Sequence, residues 1–60
     1  MKPIKVINID DVVKTFYTES DFIQYVQIIE KENEDHFGIN SIITAKHYIN
    51  SFCANIMFID

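Results

Sequence analysis

Apolar positions in this chain fall into runs divided by polar punctuation, and the period changes from one run to the next. From Lys2 to Ile9, Ile4, Val6 and Asn8 alternate against Lys5, Ile7 and Ile9. A period of two in β-branched residues, with Pro3 confined to its start, predicts a strand. The acidic pair Asp10-Asp11 follows and reads as an N-cap and first turn, because carboxylates there accept orphan amide hydrogens and suit the helix dipole. Val12, Val13, Phe16 and Tyr17 then share one face at i, i+1, i+4, i+5, which predicts a short helix from Asp11 to about Thr18.

The segment Asp21 to Glu30 supports two readings. FIQYVQII is short and rich in β-formers, as a strand requires. Thr18-Glu-Ser-Asp21, however, resembles a capping box, and Phe22, Val26 and Ile29 fit a helical face. The β-favouring composition tips the expectation to a strand. The polar KENED becomes its hairpin loop and His36 to Asn40 a short return strand, with Gly38 marking a bulge or a close backbone approach. Asn40 or Ser41 then caps a helix whose buried face holds Ile42, Ala45 and Ile49. That stripe extends to Phe52 and Ile56 if the helix continues. Asn50-Ser51 is a turn signal, and Ala54, Ile56 and Phe58 alternate as in a strand, so the expectation is helix, turn, strand. The order that results is β-α-β-β-α-β, a small α+β open-faced sandwich with helices on one sheet face. An N-terminal strand followed by two or three helices is the alternative.

Sixty residues allow one domain, 1–60, with a core that leaves little stability in reserve. A hydrophobic content of 48% with 23% charged residues is globular rather than disordered composition. One cysteine, Cys53, forms no internal disulfide and no thiolate zinc site, so a homodimer is one way to supply missing buried area. The unpaired thiol, and an N-terminus without a signal-peptide pattern, point to the reducing cytoplasm. No apolar run approaches the ~20 residues of a membrane span. Nine acidic residues, five lysines and no arginine give a formal charge of −4. That balance argues against direct nucleic-acid binding, which draws on neutralised phosphates and arginine base readers. It suits a basic protein partner.

Asn40-Ser41-Ile42-Ile43 adds a family resemblance. Ile9-Asp-Asp-Val-Val-Lys14 looks like the start of the first helix of the histidine-containing phosphocarrier (HPr) family. FIQYVQII with HFGIN looks like its central hairpin, and Ser41-Ile-Ile-Thr44 is similar to its Ser-Ile-Met-Gly segment. The resemblance covers nearly the whole chain, through pattern and element order rather than identity. It implies an HPr-like sandwich, with Ser41 the counterpart of the family's regulatory serine at a helix N-terminus. The phosphocarrier histidine does not carry over. Its Gly-x-His-Ala-Arg-Pro loop is replaced by Asn8-Ile9-Asp10-Asp11, where two carboxylates would repel a phosphoryl group. The resemblance therefore implies a divergent domain without phosphocarrier activity.

No catalytic, cofactor or metal motif stands out. His36 follows Glu34-Asp35 and reads as a loop histidine beside solvated acids, and His47 falls off the apolar helix face. Cys53 reads as a structural cysteine, lacking the orienting group that a Cys–His nucleophile needs. Glu30, Glu32, Glu34 and Asp35 lack the ligand order of a calcium loop and form a candidate partner-binding surface. The expectation is a small acidic, non-catalytic, protein-binding or regulatory module without a cofactor. A phage-type acidic decoy that occupies a basic site on a host protein is the alternative.

Overall fold

Strand β1 (Ile4–Asn8) is the centre of a three-stranded antiparallel sheet in the computed structural model, which describes residues 2–59. It pairs on one side with β2 (Val13–Phe16), in a register that sets Ile4 opposite Phe16 and Ile7 opposite Val13. On the other side it pairs with β3 (Ile56–Ile59), with Val6 opposite Phe58 and Ile7 opposite Met57. Helices α1 (Glu19–Glu32) and α2 (Ile42–Phe52) lie between β2 and β3 in the chain and pack on one face of the sheet. The fold is α+β, as its composition of elements predicts. The order is β-β-α-α-β rather than β-α-β-β-α-β.

Three local expectations change. The Asp11–Thr18 helix does not form, because Asn8 turns the chain back on itself. The Asn8 side-chain oxygen accepts the amides of Asp10 and Val12 at 3.0 Å each, and its carbonyl accepts the amide of Asp11 at 3.0 Å. Asp11 takes a left-handed φ of 61°, which an aspartate tolerates better than most residues. This is a three-residue hairpin loop of a type I turn closed by a left-handed residue. The β-branched VVKTF that follows joins the ladder as β2.

The strand expected over Asp21–Glu30 is the middle of α1. Thr18 is its N-cap, and the Thr18 hydroxyl accepts the Asp21 amide at 3.1 Å. Phe22 and Val26, spaced four apart, are buried on the core face. Capping and periodicity override the strand preference of the side chains, a preference that measures packing context more than backbone intent. The KENED hairpin loop and the His36–Asn40 return strand are likewise absent. Lys31 and Glu32 close α1 and Asn33 caps it. Glu34 sits left-handed at φ 59°, where its amide donates to the Lys31 carbonyl while the Asp35 amide reaches the Glu30 carbonyl. This is a Schellman stop with glutamate in the position that usually falls to glycine. Residues 36–40 run as an irregular connection. Gly38, at φ 66°, turns it with open space around the missing side chain, so backbone conformation and not a close approach calls for glycine.

Ser41 caps α2 as expected, in a reciprocal capping box with Thr44, and α2 ends before β3. Ile4 and Val6 meet Phe22, Val26, Ala45 and Ile49 in one core. Phe16 contacts Phe22 edge-on at 5.6 Å and Phe22 meets Phe58 at 5.9 Å, so rings from both outer strands are tied to α1. No helix among the described residues is long and apolar enough to cross a membrane.

Candidate functional site

The connection between the helices and the outer side of α2 form an apolar groove of about 430 Å³. Phe37 and Ile39 come from the connection, and Ile43, His47, Tyr48 and Phe52 from α2. Ile43, His47 and Phe52 lie on neighbouring turns of α2, flanking the buried ridge of Ala45, Tyr48 and Ile49. Phe37, Tyr48 and Phe52 form a three-ring cluster with centroids 4.8 to 5.7 Å apart. Only Tyr48 of the three is buried. Phe37 is 55% exposed, Phe52 54% and Ile43 77%.

Polar contacts hold the rings in place from below. The Tyr48 hydroxyl donates to Asp35 Oδ2 at 2.6 Å and accepts from Asn33 Nδ2 at 3.1 Å. Burial pushes the Tyr48 phenol above its ordinary value, and the bond to Asp35 adds to the shift. Glu30 Oε2 accepts the Phe37 amide at 2.7 Å, which fixes the start of the connection. Gln27 Nε2 donates to the Ile39 carbonyl at 2.7 Å and anchors its other end. Two carboxylates thus support the groove directly. Glu32 and Glu34 stand exposed at the end of α1 beside them.

The acidic cluster singled out in the sequence is therefore brought to one place. Of its members, Glu30 and Asp35 are half-buried structural acceptors, and Glu34 sits on the strained turn between them. Ser41 is partly buried, and its hydroxyl is engaged in the capping box with Thr44. His36 is exposed beside the turn and His47 lines the groove. Cys53 is half-buried at the end of α2; burial, then Asp35, raises its pKa, so the thiol stays protonated at neutral pH. No group of three or more metal-ligating side chains among the described residues is arranged to hold a metal ion.

The sequence placed Phe52 on the buried stripe only if the helix continued past Asn50-Ser51, and it did not single out Phe37 or Ile43. The signal was Ile43, an isoleucine four residues from His47 on a helix side that otherwise reads polar. At the far side of α2, Lys2, Lys5 and Lys46 line a second groove beside Phe58 and Ile59. Three of the five lysines are gathered there, away from the acidic end of α1. Compared with family models, with curated proteins and with solved structures, the chain finds no match.

Proposed function

We propose that this chain is a small acidic binding module, without catalytic activity, that takes a basic protein segment carrying an apolar anchor. The exposed pair Phe37 and Phe52, both packed on Tyr48 and supported by the Glu30 and Asp35 carboxylates, carries this reading. Rigid aromatic rings with little rotamer freedom dominate the energetics of interfaces. An apolar anchor of the partner would fill the groove between Ile43 and Phe52, and lysines or arginines flanking it would meet Glu32, Glu34 and Asp35. Charge complementarity of this kind acts mainly on the rate and specificity of encounter. The protonated Cys53 thiol and the dominance of apolar side chains in the groove support binding over chemistry. An unpaired cysteine also fits a reducing, cytoplasmic setting.

The HPr-like descent suggested by Ser41-Ile-Ile-Thr44 is not part of this proposal, because the order β-β-α-α-β differs from the order that the resemblance implies.

Affinity capture with the intact chain tests the reading. Basic proteins should be retained at low salt and released as ionic strength rises past the physiological range. Phe52→Ala and Glu34→Lys should each lose the same captured species. If both variants retain the full set, the groove is not the binding surface.

A further inference from the structure

The two helices cover one face of the sheet and leave the other open. On that open face, alternation along the strands presents Lys5 and Ile7 from β1, Val13 and Thr15 from β2, and Met57 and Ile59 from β3. An antiparallel sheet with one wet face ordinarily turns polar side chains outward. Here the row Val13–Ile7–Met57 runs across all three strands without a polar group, and Ile59 extends it. Val13 is 50% exposed and Met57 64%. Among the described residues no carboxylate occupies an outward strand position.

We infer that this face is the seat of a second copy of the chain, in a symmetric dimer whose sheets pack face to face. Charge and symmetry both support that occupant. Charge does not oppose the contact despite −4 on each copy, because the acidic end of α1 lies in the helical layer on the far side. A two-fold axis along the Val13–Ile7–Met57 row sets Lys5, on one side of Ile7, over the partner's Asp10-Asp11 turn on the other side. Exposed Ile9, at that same turn, is covered in the same step. An anionic lipid surface fits less well, since it recruits clusters of lysine and arginine, whereas of the five lysines Lys5 alone holds an outward strand position and the Asp10-Asp11 turn adjoins the face.

Sedimentation equilibrium over a wide concentration range decides the matter. The natural chain should have the mass of two chains. Met57→Glu should lower the association constant at least ~100-fold, because symmetry places two unpaired carboxylates in the interface. Ile43→Glu, in the helical groove, should leave the dimer intact. Circular dichroism confirms that each variant is folded, and Val13→Glu replaces Met57→Glu if that variant is not. Lys5→Glu should weaken association several-fold and Lys5→Glu with Asp10→Lys should restore it. A one-chain mass for the natural protein at every concentration overturns the inference. So does a dimer that survives Met57→Glu and Val13→Glu, one indifferent to the Lys5 and Asp10 exchanges, or one lost with Ile43→Glu instead. Flotation of the natural chain with anionic vesicles, abolished by Met57→Glu, would assign the face to lipid and overturn it as well.

Discussion

Tyr48 joins the core to the groove through one hydroxyl. Its ring is buried among apolar side chains, and its oxygen ties Asn33 and Asp35, the residues that end α1, to the middle of α2. Tyr48→Phe leaves a half-buried carboxylate and an amide without their partner and should cost about 1–2 kcal/mol in urea unfolding at neutral pH. The pH dependence has a definite sign. Burial favours the neutral phenol, so the folded-state pKa lies above the unfolded one. The stabilisation is then complete below about pH 10, the ordinary tyrosine value, and is lost as pH rises through the higher folded value. Tyr48→Phe should flatten that alkaline limb without abolishing it, because Tyr25 and Cys53 are shifted upward too. Glu34 offers a complementary test. At φ 59° it holds a conformation that a side chain disfavours, so Glu34→Gly should raise stability by about 1 kcal/mol. If the carboxylate serves binding, the same variant should capture basic partners less well. A change in stability with unaltered capture would remove Glu34 from the site.

The two helices show what the sequence made legible and what it concealed. The α2 start was readable because Asn40-Ser41 precedes an apolar stripe, and the Ser41–Thr44 box is found there. The α1 start carried an equally valid signal in Thr18 and Asp21, but the β-branched and aromatic content of FIQYVQII outweighed it. Both helices depend on their caps. Ser41→Ala and Thr18→Ala should each lower stability by about 1 kcal/mol, measured as a shift in the urea midpoint with the helical circular dichroism signal as readout. The Asp10-Asp11 pair misled for a physical reason. Acidic residues suit both a helix start and a tight turn, and what decided between them was Asn8, whose side chain satisfies two turn amides. The candidate site was half visible. Its carboxylates stood together in the sequence, whereas its aromatic half joins Phe37 to Phe52 across α2, a contact that no local pattern announces.

For the molecule as a whole, the fold class followed from periods and propensities, but the order of elements did not. Two misread segments, Asp11–Thr18 and Asp21–Glu30, exchanged a helix for a strand and a strand for a helix. With the expected His36–Asn40 strand also absent, helix rises to 25 residues against 13 of strand, and the connectivity changes with it. Charge is segregated as well as unbalanced. Acids gather at the end of α1, three lysines flank the opposite groove, and the open sheet face holds no carboxylate among the described residues. Salt should therefore act differently on the two proposed contacts. Capture of a basic partner at the helical groove should weaken steeply with ionic strength, whereas self-association through Val13, Ile7 and Met57 should change little. Parallel salt titrations of capture and of sedimentation would show whether the two surfaces separate in this way.

The sheet order β2-β1-β3 also bears on how the chain comes off the ribosome. β1 and β2 form a local hairpin as soon as both have emerged, but one edge of β1 stays unpaired until β3 arrives about fifty residues later. Closing so long a loop draws on contacts that only the finished helices provide. Nascent chains stalled before Ile56 has cleared the exit tunnel should remain sensitive to protease and should gain protection together, in one step, once Ile59 is free. The central strand is thus the first element made and the last to be completed.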